Sequence, residues 1–195
     1  MTLRLNGSTS GYIEIDAPAV SDNSTIVLPT GGGPLSKMVL ETAKASTSGT
    51  SVDFTGIPSW VKRLTVVFHT LSLSGNAYGL IQLGDSGGVE TTGYTSTTNF
   101  LQGTLAAGGT FSSTAGIALF NGANVNQLTG SVVFNNISSN TWVATGTWNY
   151  SNLLNTTGWT AGDKTLSGTL DRIRITSDNG TDTFDAGSIN ILYEG

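Results

Sequence analysis

From Val52 onward the apolar residues of this 195-residue chain fall in short alternating runs, each closed by a cluster of Gly, Asn or Ser. The longest, RLTVVFHTLSL from Arg63 to Leu73, sets Leu64, Val66 and Phe68 on one side and Leu71 and Leu73 on the other. Period-two alternation rich in β-branched residues is the mark of a half-buried strand. YGLIQLG, GIALFNG, GSVVFNNIS, TWVATGTWNY, GTLDRIRITS and TFDAGSINILYE continue the series. Nearly half of all positions are Gly, Ser, Thr or Asn, which are mediocre or poor helix formers. A hydrophobic fraction of 37% and a net charge of only -5 set the chain apart from disordered sequences. The expectation is an all-β protein, a jelly-roll-like β-sandwich. From Val52 onward a helical turn is expected only near Ser151 to Leu154. Asp178-Asn179-Gly180-Thr181 reads as a tight hairpin turn between the Ile173/Ile175 and Ile189/Ile191 strands, because Asn-Gly suits that geometry.

The first fifty residues read differently. Leu3 and Leu5, then Tyr12 to Asp16, alternate around a GSTSG turn, which predicts a hairpin. A third short strand is expected at Thr25 to Leu28, closed by PTGGGP, and Met38 to Leu40 is expected as a brief strand or helical turn. So few apolar side chains cannot bury a core of their own. The chain therefore divides into an N-terminal β-hairpin arm, residues 1–50, and a β-sandwich head, residues 51–195.

Charge excludes several functions. A pI near 4.5 with eight basic residues gives no footprint for nucleic acid or an anionic membrane. No stretch approaches the length of apolar residues that inserts in a bilayer. The opening MTLRLNGSTSGYIEID has no basic stretch before an apolar run, so no secretory signal is expected. The absence of Cys removes disulfides and thiolate chemistry, and a single His, His69, removes a His-based metal cluster. No cofactor and no metal are expected. Between Glu90 and Asp163 the chain carries no formal charge at all. Soluble proteins scatter charge over their surfaces, so this stretch suits subunit contacts, neutral sugars, or a plain Ser/Thr/Asn-coated sheet.

Motifs for catalysis are weak. Gly84-Asp85-Ser86-Gly87-Gly88 matches the string around a serine-protease nucleophile, but the triad needs a His base and an orienting Asp. The one His lies only seventeen positions before Ser86, with no acid between His69 and Asp85. Asp85 with Glu90, or Asp182 with Asp185, lack the aromatic surroundings of a glycosidase pair. Asp178, Asp182 and Asp185 lack calcium-loop spacing. The chain is expected not to be an enzyme.

Aromatic residues remain. Thr141 to Tyr150 sets Trp142, Ala144, Gly146 and Trp148 on one face, and Val143, Thr145, Thr147 and Asn149 on the other. The Trp face is either core, which ordinary packing favours, or a platform on which a sugar ring stacks. Trp159 and Tyr94, set among Thr, Ser and Gly, are expected to be exposed. An apolar ring amid neutral hydrogen-bonding groups is the chemistry of sugar recognition. The binding candidates are Tyr94, Trp159, Trp142, Trp148 and Asn149.

Three stretches resemble virion proteins. TLRLNGSTSGYIEIDAPAV followed by TIVLPTGGG resembles the N-terminal module of tail-fibre and related virion structural proteins of marine and cyanobacterial tailed bacteriophages. FTGIPSWVKRLTVVF resembles the opening of their globular domain, and GTLDRIRITSDNGTDTFDAGSINILYE their closing strands. Residues 74 to 165 are unmatched. The resemblance implies a non-enzymatic virion component, commonly a homotrimer, joined to other virion proteins through its N-terminal arm. The expected function is a short tail fibre or adhesin on the phage tail or baseplate, its head recognising a host-surface carbohydrate. A capsid decoration protein is the alternative, and a free carbohydrate-binding module a third reading. The chain lacks the repetitive shaft of long fibres.

Overall fold

The computed structural model describes residues 3–6, 11–15, 37–103, 107–119, 122–152 and 156–195. The chain forms two compact units, Met1–Leu35 and Ser36–Gly195. In the first, β1 (Leu3–Asn6) and β2 (Tyr12–Ile15) pair antiparallel. Leu3 stands opposite Ile15 and Leu5 opposite Ile13. The strand expected at Thr25 to Leu28 and the PTGGGP turn lie outside the described residues.

The second unit is a β-sandwich of two antiparallel sheets, with no helix among the described residues. The larger sheet has nine strands. It holds β3 (Met38–Leu40), β4 (Lys44–Ala45), β6 (Arg63–Leu73), β9 (Tyr94–Gln102) and β10 (Ala107–Ser113). It is completed by β12 (Leu128–Ser138), β13 (Thr141–Tyr150), β14 (Thr156–Thr165) and β16 (Phe184–Glu194). The order is β10-β9-β14-β13-β12-β6-β16-β3, and β4 also pairs with β16. The smaller, five-stranded sheet holds β5 (Ser51–Thr55), β7 (Gly79–Asp85), β8 (Gly88–Val89), β11 (Ile117–Leu119) and β15 (Arg172–Ser177). Its order is β11-β7-β15-β5, with β8 on β7.

Between the sheets lies one core. Leu64, Val66 and Phe68 of β6, Val132 and Phe134 of β12, and Ile189 and Ile191 of β16 meet Ile81, Leu83, Ile173 and Ile175 of the smaller sheet. In β6, β12, β15 and β16 inward apolar residues alternate mostly with outward polar ones, so burial follows from the two-residue period, whereas β7 is buried at nearly every position. Toward β9 and β14 the inner face changes character. Ser96, Thr98 and Thr160 point inward and are buried. The Ser96 Oγ accepts the Ala118 N–H at 2.8 Å, and the Thr160 hydroxyl donates to the Ala118 carbonyl at 2.7 Å. Short hydroxyl side chains thus let the sheets close at this side and satisfy the backbone of edge strand β11.

Sequence pattern and structure part at three places. Tyr94 to Gln102 and Thr156 to Thr165 carry no apolar alternation, yet they form two central strands. Their inward positions are filled by Ser96, Thr98, Gly158, Thr160 and Gly162 because large neighbours take the space. Asn179-Gly180 does turn, with Gly180 at φ +67 and the Asn179 side chain accepting the N–H groups of Thr181 and Asp182. It does not close a hairpin, however. β15 belongs to the smaller sheet and β16 to the larger, so the turn carries the chain across the sandwich. Finally, β3 and β4 are hydrogen-bonded to β16, which places residues assigned to the arm in the head. Ser151 and Asn152 form a turn, and Leu154 lies outside the described residues.

Gly158 is the tightest of these packing solutions. A Cβ there would lie 2.2 Å from Cζ2 and 2.4 Å from Cε2 of the Trp148 indole. Gly158→Ala is therefore expected to destabilise the head by about 1–3 kcal/mol, as overpacking does. Urea unfolding followed by Trp fluorescence checks this.

Candidate functional site

The outward side chains of the larger sheet line up in rows across the strands. One row runs Thr110, Asn99, Trp159, Thr147, Ser131, Val67 and Asn190, each directly opposite the next. The next row runs Ser112, Thr97, Ala161, Thr145, Val133, Thr65 and Leu192. Neighbouring rungs bond to one another: the Thr110 hydroxyl donates to Asn99 Oδ1 at 2.6 Å, and Thr97 and Ser112 share a 2.9 Å bond. Between β10 and β12 this face is uncharged except for Asp163 near one end of β14; Lys164, next along, turns to the buried inner side.

Two shallow grooves adjoin on this face. One, of about 310 Å³, is lined by Thr129, Gly130, Thr147, Trp148, Asn149 and Thr157. The second, of about 270 Å³, is lined by Ser131, Val133, Thr145, Gly146 and Thr147. They meet at Thr147, the residue directly opposite Trp159. Trp159 is 43% exposed and stands beside them. Asn149, two residues from Thr147 on the same face and also exposed, is a diagonal cross-strand neighbour of the indole, roughly 7–8 Å away.

Of the five aromatic and polar candidates, the structure brings Trp159 and Asn149 together and removes the other three from the surface. Trp142 and Trp148 are each 3% exposed and belong to the core. Neither indole is a stacking platform, because their face of β13 is the one turned toward the smaller sheet. Trp148 lies over Gly158, packs against Phe100 and Tyr150, and donates its indole N–H to Thr98 Oγ1 at 3.3 Å. Tyr94 corrects the expectation of exposure: it is buried. Its hydroxyl accepts the Leu83 N–H at 2.7 Å and faces the Glu90 carbonyl at 2.9 Å. It thereby ties β9 of one sheet to β7 of the other, and burial pushes its pKa far above the ordinary value. A phenol that ends in three backbone contacts explains why a Tyr sits in an otherwise small-residue stretch.

The GDSGG string forms the β7–β8 turn, with Asp85 Oδ1 accepting the Gly87 N–H at 2.8 Å. Ser86 lies in the smaller sheet's turn, whereas His69 is exposed on β6 of the larger sheet, so no catalytic pair is assembled. Asp85 and Glu90 instead converge on Ser167, whose hydroxyl is 2.8 Å from a carboxylate oxygen of each. Glu90 also meets Lys164 Nζ at 2.5 Å, and that ammonium donates to the Thr92 carbonyl and lies over the Tyr94 ring. Asp178 and Asp182 accept the N–H groups of Tyr78 and Ala77 and so pin the loop between β6 and β7. Among the described residues no three His, Cys, Asp or Glu side chains converge as a metal site.

No family model, curated protein or solved structure matches this chain. The site is therefore read from its own chemistry. Sequence alone missed Asn99, Thr147 and Thr157, since only strand register shows that they surround Trp159; the signal was their Thr-x-Thr and Thr-Asn repetition. For Glu90, burial opposes the charge, but hydrogen bonds from Lys164 and Ser167 outweigh it and hold its pKa below the ordinary value of 4.5. Its contribution to stability is thus complete above that value and is lost as pH falls through the lower, folded-state value. Glu90→Gln, which leaves the Lys164 ammonium without its carboxylate, is expected to cost about 1–3 kcal/mol at neutral pH, less than a fully buried pair would. It should also flatten the acid limb of a stability-against-pH curve measured by chemical denaturation.

Proposed function

We propose that this chain is a non-enzymatic virion attachment protein, a short tail fibre or adhesin, whose head binds a neutral saccharide on the outer face of its larger sheet. The observation that carries this reading is Trp159, exposed between Asn99 and Thr147 in an uncharged ladder beside two hydroxyl-lined grooves. An indole supplies the apolar face on which a pyranose ring stacks, and neighbouring hydroxyl and amide groups supply neutral donors and acceptors for its hydroxyls. Asn149, Thr147, Thr157 and Thr129 hold such groups along one groove. A shallow site of this kind binds weakly, so several heads held together, as in a homotrimer, raise the effective affinity by avidity. The resemblance of both ends of the chain to phage tail-fibre proteins supports the virion setting and the role of the N-terminal arm as the connection to other virion proteins.

Trp159→Ala is expected to weaken saccharide binding roughly tenfold, about 1.4 kcal/mol, while changing the unfolding midpoint little because the ring is part exposed. Titration calorimetry against a panel of neutral oligosaccharides, with host-cell adsorption alongside, measures both effects. Unchanged binding in the Trp159 and Asn149 variants would remove the site. Immunogold labelling of particles that shows the protein on the capsid shell, not the tail, would favour the decoration reading.

A further inference from the structure

The two grooves beside Trp159 have a counterpart farther along the same sheet. A third groove, of about 320 Å³, lies over β9 and β10, and its outward side chains are Thr95, Thr97, Ser112 and Thr114. The row that runs Ser112, Thr97, Ala161, Thr145 and Val133 connects it to the groove over β12 and β13. Ser112 and Thr97 line one groove, and Thr145 and Val133 line the other. Ala161, between them, is exposed and carries only a methyl group. Along β14 its outward neighbours are Trp159 and Asp163, both far larger. The surface is therefore low at Ala161 in the direction across the strands and walled in the direction along them, with the indole as one wall.

The floor has the chemistry of its neighbours. Thr97 and Ser112 share one 2.9 Å hydrogen bond. Each hydroxyl has one donor and two acceptor lone pairs, so the pair still has an O–H and lone pairs to offer a ligand. Four strand spacings separate β12 from β10, about 19 Å. An extended pyranose chain advances by close to one strand spacing per ring, so the path holds about four rings. Asp163 is the formal charge that borders the path, and a carboxylate there repels uronic or sulfated chains.

We propose that the outer face of the larger sheet takes an unbranched, neutral oligosaccharide of about four rings. It lies across the strands from β12 to β10 along the Thr145, Ala161 and Thr97 row, with one ring against the Trp159 indole. That assignment rests on the saccharide reading of Trp159 and sharpens it, because a single terminal sugar would meet only one groove.

The test is calorimetric titration of the full chain with unbranched cello-, manno- and malto-oligosaccharides of one to six rings. In the series that binds, affinity is expected to rise roughly tenfold from two rings to four and to stay level beyond. A uronic-acid chain of four rings should bind at least tenfold more weakly. Two variants interrupt the path at different points. Ala161→Ile raises its floor with a residue suited to a strand, and Thr97→Val/Ser112→Ala removes the hydroxyls of the far groove. In each, the ratio of four-ring to two-ring affinity should fall below roughly threefold. Circular dichroism checks that both fold, and either one alone suffices. A two-ring sugar bound as tightly as a four-ring one overturns the proposal and leaves a saccharide site confined to Trp159. An affinity still rising at six rings, equal binding of the uronic chain, or a wild-type ratio in a folded variant overturns it too. Absence of binding at every length and linkage removes the saccharide reading itself, and this ligand with it.

Discussion

The burial of one indole sets the character of the whole larger sheet. Trp148 occupies the space that Gly158 leaves open on the neighbouring strand, and from that contact the parity of both strands follows. With Trp148 inside, alternation turns Thr147 and Asn149 outward, and register turns Trp159 outward opposite Thr147. A one-residue slip would bury Thr147 and Trp159 and expose Trp148. The large apolar area that Trp148 and Trp142 bury opposes that slip strongly. The exposed Trp159 of the outer face thus owes its position to the buried ones.

The same region explains how a stretch without charge stays folded and orderly. Its inner face does not rely on aliphatic bulk alone. Ser96, Thr160 and Tyr94 reach from the larger sheet to backbone groups of Ala118 and Leu83 in the smaller one. These bonds carry a double benefit: the hydroxyls are satisfied, and so are backbone groups of a strand edge that water does not reach. The outer face uses the same residue types differently, with Thr and Asn side chains pairing across rungs and leaving neutral donors and acceptors at the surface. Charge returns only where the ladder ends, at Glu90 and Lys164, and there it is spent on holding the β8–β9 connection and Ser167 in place.

Much of the head was legible because its central strands obey the simplest rule. In β6, β12 and β16 the buried residues are chiefly Leu, Val, Phe, Ile and Tyr while most outward ones are polar, and period two reads directly as strand. β9 and β14 were illegible for a physical reason. Ser96, Thr98, Gly158, Thr160 and Gly162 are small because Trp148 and β11 fill the space, so the bulk missing there is supplied by residues distant in sequence. Asn179-Gly180 shows the converse limit: a local signal named the turn correctly but could not show that its two flanking strands belong to different sheets. Tyr94 was misread for the same reason as β9, since a phenol among Thr and Ser looks exposed until its partners on β7 are in view.

What the sequence determined by itself was the class of fold and its periodicity: a chain poor in helix formers, rich in turns, with alternating runs that can bury one face. It also determined the neutrality of the middle of the chain, which is a matter of composition. The tertiary structure decided which aromatic residues face solvent. Alternation offers two faces and does not say which is inside; that choice is made by volume, where an indole meets a glycine on the next strand and a phenol meets a backbone across the sandwich.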